Sequence, residues 1–235
     1  MHPIRHALIM AAGRGQRMMP LTQVVPKPMA PYLGSTLIAN GIEVIRRHVP
    51  NIHVTVGYKG AMLAQHLIEH GVSSIFNTDG RSNSWWIFNT LLKHVDEPVV
   101  VLTCDNVTEL DVGLLEEDYA ALGSPADMLV PVRPVTGLEG DYIFHDNGVV
   151  HDLSRTTPSE IYCSGIQVVN PAKINALTRE EGDFHHVWRQ LIGHRELFVS
   201  SIYPQRWFSV DTLADLDRIQ CAADLDRIEY ATAAG

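Results

Sequence analysis

Apolar runs and polar punctuation alternate along the chain in a rhythm of short strand and longer helix. The run His6 to Ala12 has no polar interruption after its first residue and reads as a strand buried on both faces. After it, Leu37, Ile38, Ile42, Val44 and Ile45 recur at helical spacing, predicting a helix from Thr36 to about His48 capped by Ser35. Ile52 to Val56 is β-branched and predicts a strand; Ala61 to His70 predicts a helix ended by Gly71, and Val72 to Phe76 a third strand. This βαβαβ order implies a parallel sheet with right-handed crossovers, with ligands at the carboxyl ends of its strands.

The rhythm continues. Trp85 to His94 predicts a helix, Pro98 to Thr103 a buried strand, Asp111 to Leu122 a helix and Asp127 to Val132 a strand. From Thr136 the texture changes. Asp141 to His145 and Val149 to Leu153 flank Asn147-Gly148, a hairpin turn. Ile161 to Asn170 predicts a strand interrupted at Ser164-Gly165, and Pro171 and Asp183 open short helices. Leu197 to Ile202 predicts a last strand, and a helix begins near Leu213. The expected fold class is α/β: a Rossmann-like, mostly parallel central sheet flanked by helices, with a small antiparallel insert at about 136–170. All 235 residues are expected to form one domain.

The richest chemistry lies where the first strand ends. Residues 8–29 read LIMAAGRGQRMMPLTQVVPKPM. Gly13 and Gly15 let the backbone turn sharply and bring its N–H groups close to an anion. Arg17 adds a charged fork and Lys27 a point charge, on a loop stiffened by Pro20, Pro26 and Pro28. A Walker loop needs Gly-Lys-Ser/Thr, which the chain lacks. A dinucleotide fingerprint needs a small residue where Met18 stands. The pattern describes a cradle for a nucleoside triphosphate.

Composition narrows the partners. The net charge of −9 offers no basic surface to nucleic acid. No apolar run reaches membrane-spanning length, and Ala7 to Ala12 is too short for a signal core, so a cytoplasmic protein is expected. Cys104, Cys163 and Cys221 are odd in number and far apart, which favours reduced thiols. The twelve histidines read as solvated or packing residues. A small repeat, Ala214 to Ile219 and again Ala223 to Ile228, has a nine-residue offset, so its copies face opposite sides of one helix. A homodimer contact is one explanation for the second copy; a partly exposed helix end is the other.

Residues 8–29 resemble the signature LxAAGxGxRMxPLTxxxPKPM of the nucleotidyltransferases that make sugar nucleotides and CDP-linked metabolites. Two further segments share the resemblance: Asp105 after the strand at 98–103, and Trp207-Phe-Ser-Val-Asp211-Thr212. The resemblance implies transfer of a nucleoside monophosphate from an NTP to a phosphorylated small-molecule acceptor, releasing pyrophosphate. It implies catalytic roles for Lys27 and Arg17, nucleotide contacts from Ala11, Ala12, Gly13, Arg14, Gly15, Asn83 and Ser84, and Mg²⁺ held by Asp105 and Asp211. Acceptor contacts are expected from Trp85, Trp86, Glu139, Asp141, Arg155 and Ser164. Asp211 also reads as a helix cap, and the tryptophans also read as core.

The chain departs from the pattern in two places. Cys104 stands where glycine usually precedes the Asp, and 153–158 replaces the Glu-Lys-Pro of many sugar-1-phosphate members. The second departure, with Trp85-Trp86, favours a cytidylyltransferase acting on a phosphorylated small alcohol or amide. A sugar-1-phosphate uridylyl- or guanylyltransferase is the alternative, and a non-catalytic nucleotide-binding regulatory module is an alternative of another class. No solenoid or β-helix spacing follows, so no sign of the extra C-terminal domain of some such enzymes is expected.

Overall fold

The computed structural model describes residues 3–135 and 140–222. Nine strands form its main sheet, in the order β5-β4-β1-β6-β11-β8-β12-β10-β9. β1 (His6–Ala11) lies between β4 (Asn51–Val56) and β6 (Val99–Thr103), parallel to both, and β5 (Ser74–Asn77) extends the sheet beyond β4. β11 (Tyr162–Val169) runs antiparallel to β6 and to β8 (Asp127–Val132). β12 (Leu197–Val199) is parallel to β8, and the hairpin β9 (Tyr142–Asp146) and β10 (Val149–Ser154) closes that side. By these pairings only β10 and β11 run against the common direction. The fold is α/β with a large, mostly parallel sheet, as the strand and helix rhythm predicts.

Both faces of the sheet are covered. On one, Ala7, Ile9 and Ala11 pack with Ile38, Ile42 and Ile45 of α2 (Leu37–Arg46), Leu63 and Leu67 of α3 (Gly60–Glu69), and Leu115 of α5 (Val112–Ala121). On the other, Leu8, Val99 and Val101 meet Trp86 and Ile87 of α4 (Trp85–Asn89), Ile174 of α6 (Pro171–Leu177), and Phe184, Val187 and Leu191 of α7 (Phe184–His194). Burial on two sides is why β1 and β6 are apolar throughout rather than alternating. Each fully buried Leu or Ile contributes roughly 1.5–3 kcal/mol relative to exposure.

Several boundaries differ from the sequence reading for identifiable reasons. Thr36, not Ser35, caps α2: its Oγ1 accepts from Ala39 N, and Ser35 belongs to the short ribbon of β2 (Pro31–Tyr32) and β3 (Ser35–Thr36). The helix expected through His94 ends at Asn89. Thr90 adopts extended backbone and its hydroxyl caps a separate 3-10 turn, Leu91–His94. The strand expected to reach Ile202 stops at Val199, where Ser200 and Ser201 turn their hydroxyls to Asp118.

One element was not anticipated. β7 (Asn106–Glu109) and β13 (Arg206–Ser209) form a separate antiparallel ribbon pairing Asn106 with Ser209, and Val210 N donates to Asp105 O at 2.9 Å. Residues 213–222 are helical, with Leu216 and Ile219 packed on Met18, Tyr32 and Leu37. The second copy of the Ala-Asp-Leu-Asp-Arg-Ile repeat lies outside the described residues. No helix among the described residues is long and apolar enough to cross a membrane.

Candidate active site

β1 is the switch point of the sheet: the chain leaves it to build β4 and β5 on one side, then returns to place β6 on the other. Such switch points open a crevice at the carboxyl ends of the strands. A cleft of about 980 Å³ lies there, lined by Ala12 to Arg17, Tyr58, Lys59, Thr78 to Asn83, Trp86 and Thr103 to Asp105, with Lys27 and Asp211.

The Gly-rich loop is braced from behind. Gly15 has φ +60°, and a Cβ there would stand 2.7 Å from Lys27 Cβ. Thr22 Oγ1 donates to Gly15 O at 3.0 Å, and Tyr58 OH donates to Thr22 O at 3.0 Å. Gly57 carries no side chain for a similar reason: a Cβ would meet Ala12 O at 2.6 Å. The loops after β1 and β4 are thus pressed together, and Tyr58 N donates to Ala12 O at 3.1 Å. The Arg14 guanidinium lies 5.3 Å from the Tyr58 ring centroid.

Lys27 binds the distant parts of the site. Its Nζ donates to Asp105 Oδ2 at 2.8 Å and to Asp211 Oδ1 at 3.0 Å, with 10% of the lysine side chain exposed. Arg17 Nη2 donates to the same Asp211 oxygen at 2.8 Å. Burial pulls the Lys27 pKa down, but the charges of Asp105 and Asp211 and their hydrogen bonds outweigh it and hold the ammonium above its ordinary value. Burial likewise pushes the Asp211 carboxyl up, and Lys27, Ser209 and Arg17 outweigh it and hold it below the usual carboxylate range. Asp105 and Asp211, 106 positions apart, meet because β7 and β13 pair immediately beside them.

The structure separates the two roles read for Asp211. Thr212 is the cap of the following helix, and Asp215 completes a capping box: Asp215 N donates to Thr212 Oγ1 at 3.2 Å, and Thr212 N to Asp215 Oδ2 at 2.9 Å. The Asp211 carboxylate points instead to Lys27, Arg17 and Ser209.

Other expected residues divide. Ala12, Gly13, Arg14, Gly15 and Asn83 line the cleft; Ala11 sits beneath it, its N–H donating to Thr55 Oγ1. Ser84 does not line it. It is fully buried, and its hydroxyl donates to Gly182 O at 3.2 Å, holding the loop before α7. Trp86 is 1% exposed, a wall of the cleft packed against Phe184, so its neighbour Trp85 is the half-buried ring, with the Arg81 guanidinium 5.4 Å from its centroid. Ser164 turns inward: it is 2% exposed, its Oγ donates to Val130 O and accepts from Ile166 N, and these bonds shape the irregularity in β11. An acceptor contact from its hydroxyl is corrected on that ground. Glu139 lies outside the described residues.

Asp141 and Arg155 do meet, Arg155 Nε donating to Asp141 Oδ1 at 2.9 Å. His185 Nδ1 lies 3.2 Å from the same oxygen, and Arg189 Nε donates to His185 Nε2 at 3.4 Å, which places the imidazole proton on Nδ1. His185 was expected to be only solvated or packing. Its neighbour His186 swings back to Asp183, with the two rings 84° apart. Tyr58 and Lys59 were also missed; the Gly57-Tyr-Lys-Gly60 break after a buried strand is the signal that marks them. Burial pushes the Cys104 thiol well above its ordinary range, Asp105 adding to the effect, so it stands beside the site as a neutral side chain.

The switch-point cleft and its Gly-rich loop place the chain among α/β proteins of the nucleotide-diphospho-sugar transferase fold. Residues 7–206 match the family model of the MobA-like NTP transferase domain, and the chain belongs to that family. It is 25% identical over 218 residues to the mannose-1-phosphate guanyltransferase of Pichia angusta, covering 86% of this chain and 60% of that protein's length. Among solved structures, the inositol-1-phosphate CTP transferase from T. maritima superposes with a TM-score of 0.74 at 16% identity, over 92% of this chain and 93% of that one. A UDP-glucose pyrophosphorylase bound to UDP-glucose gives a TM-score of 0.76 at 14% identity, over 95% and 99%. At those identities the two structures show the shared fold.

Proposed function

We propose that the chain transfers a nucleoside monophosphate, CMP by preference, from its triphosphate to a phosphorylated small-molecule acceptor, releasing pyrophosphate. One observation carries this reading: Asp105 and Asp211 both come within 3.0 Å of Lys27 Nζ, and all three line the Gly-rich cleft. The presence of Lys27, Asp105 and Asp211 together argues against a regulatory module that only holds nucleotide. The family membership and the guanyltransferase relative support transfer as the reaction class.

The difficulty in such a transfer is bringing two anions together. In the proposed reaction the acceptor phosphate oxygen attacks the α-phosphorus, the bond to the β-phosphate bridging oxygen breaks, and pyrophosphate leaves with that electron pair. The N–H groups of the loop from Ala12 to Gly15 and the Arg17 guanidinium hold the triphosphate; Lys27 neutralises charge at the α-phosphate. The acceptor phosphate is already anionic, so no separate base is needed.

Asp105 and Asp211 suit Mg²⁺. They offer two hard carboxylate groups, both within 3.0 Å of one lysine nitrogen. An ion held by few protein ligands completes its shell from phosphate and water, the habit of Mg²⁺. Bound there, Mg²⁺ would supply positive charge to the phosphate oxygens.

We place the acceptor beside Trp85, Asp141, Arg155 and His185. The half-buried Trp85 ring and the replacement of Glu-Lys-Pro at 153–158 favour cytidylyl transfer to a phosphorylated alcohol or amide. The guanyltransferase relative favours the second reading, a sugar-1-phosphate substrate with UTP or GTP. A cytoplasmic location suits either, since the reactants are charged metabolites. Pyrophosphate release measured across four NTPs and a panel of phosphorylated alcohols, amides and sugars tests the proposal. Release dependent on both substrates supports it, and the best pair chooses between the two readings. No release with any pair sinks it.

A further inference from the structure

The carboxylates that suit a divalent ion already have a cation between them. Lys27 Nζ donates to Asp105 Oδ2 and to Asp211 Oδ1, and Arg17 Nη2 donates to that same Asp211 oxygen. The other Asp211 oxygen accepts from Ser209 Oγ at 3.0 Å. One ammonium, one guanidinium and two carboxylate charges cancel, so the cluster is close to neutral. The base of the lysine is fixed and its ammonium is shut off from solvent: its Cβ lies within 2.7 Å of where a Gly15 Cβ would stand, and only 10% of its side chain is exposed, so Nζ has these carboxylates as partners until another acceptor enters the cleft. A divalent ion approaching alone would meet a fixed positive charge about 3 Å from each oxygen it needs, and like charges repel strongly at that range.

A triphosphate changes the balance. It brings several negative charges and offers oxygen acceptors to both basic side chains. Arg17, 71% exposed, can turn to it with little loss of packing. Lys27 lines the same cleft.

We infer that Lys27, assisted by Arg17, is the internal counter-ion of the Asp105–Asp211 pair, and that a divalent cation gains these carboxylates only when both basic side chains pass to phosphate oxygens. Metal and triphosphate therefore enter as a unit, and the chain without nucleotide holds the ion poorly. The inference rests on the nucleotidyl-transfer reading and adds to it an order of binding.

The test measures metal affinity rather than turnover. Mn²⁺ is titrated into the full chain without nucleotide and followed by the electron paramagnetic resonance signal of the free ion. Lys27→Met keeps the stem and removes the charge. It is expected to bind Mn²⁺ at least about tenfold more tightly than the unaltered chain, the scale of one charged hydrogen-bonded contact. Adding Asp211→Asn to that variant should abolish the gain, which locates it at this site. With an unreactive α,β-methylene CTP present, the order should invert, the unaltered chain binding Mn²⁺ more tightly than Lys27→Met. Equal or weaker Mn²⁺ binding by Lys27→Met without nucleotide overturns the inference. If Lys27→Met fails to fold, Arg17→Met, which alters an exposed residue, decides the matter: a few-fold tightening supports the inference and an unchanged affinity overturns it. Transfer by the unaltered chain is measured separately, so the nucleotidyl-transfer reading survives or fails on its own result.

Discussion

The cleft and the side-chain cluster around Asp141 are built from different materials. The side proposed for the nucleotide is made of backbone at the ends of parallel strands. It comes from contiguous stretches, with glycines where the chain must turn or press close, at φ +60° for Gly15 and against Ala12 O for Gly57. The side proposed for the acceptor is made of side chains. Asp141, Arg155, His185 and Arg189 arrive from four separate points on the hairpin and α7 and bind one another. A triphosphate has the same shape whatever base it carries, so a fixed backbone cradle suits it. Acceptors differ, and a set of paired side chains can be altered one at a time without disturbing the strands.

This contrast predicts how variants should divide. Lys27→Ala should have the largest effect. Removing a charge aimed where charge develops at the reacting phosphorus commonly lowers turnover about 100- to 1000-fold. Single-turnover kinetics beside nucleotide titration calorimetry should show turnover falling more than affinity. Equal losses would make Lys27 an ordinary triphosphate clamp.

Arg17→Ala should come next, with nucleotide affinity falling roughly ten- to a hundredfold, the range for losing a hydrogen bond to a charged group. Titration calorimetry checks it; unchanged affinity removes Arg17 from the nucleotide side. Arg155→Ala should be milder. Its guanidinium is largely exposed and its pair with Asp141 is screened, so a few-fold rise in the acceptor KM is expected, with the nucleotide KM unmoved. If the nucleotide KM rises as much, the division between the two sides is wrong.

The smallest effect on activity should come from His53, lower on the same strands. It is 8% exposed, with His6 Nδ1 3.0 Å from one ring nitrogen and Ser74 Oγ 2.7 Å from the other. Burial, with His6 adding to it, lowers its pKa to about 4. The unfolded chain, near the ordinary value of about 6.5, binds the proton first. The contribution to stability is therefore present above pH ~6.5 and lost as pH falls toward about 4, at most roughly 3 kcal/mol. Denaturant melts of His53→Gln should flatten that acid slope and leave turnover at neutral pH nearly unchanged. An undiminished slope assigns the acid sensitivity to other groups.

The contrast also explains what was legible in the sequence. Apolar runs and glycine punctuation report backbone directly, so β1, β4, β6 and the Gly-rich loop could be read residue by residue. The acceptor side depends on which side chains meet after folding. Nothing local in His185-His186 says that one ring reaches Asp141 while the other turns back to Asp183. Ser84 stands in a polar stretch and Ser164 at a Ser-Gly break in a strand, places that look open, yet both are buried and bonded to carbonyl groups. The β7–β13 ribbon was missed because Asn106 to Glu109 and Arg206 to Ser209 are short, half-exposed and 97 residues of chain apart at their nearest ends. That ribbon brings Asp211 to Asp105.

If this convergence is a reaction centre, the Asp211 carboxylate is a charged member of it and not the cap of the helix that follows. Turnover of Asp211→Asn against Mg²⁺ concentration tests it most directly. Asparagine keeps the shape, and Thr212 and Asp215 still cap the helix, so the fold should survive. Turnover should fall at least about a hundredfold, with half-saturation moving to higher Mg²⁺. Unaltered turnover at limiting Mg²⁺ in a folded Asp211→Asn chain would contradict it.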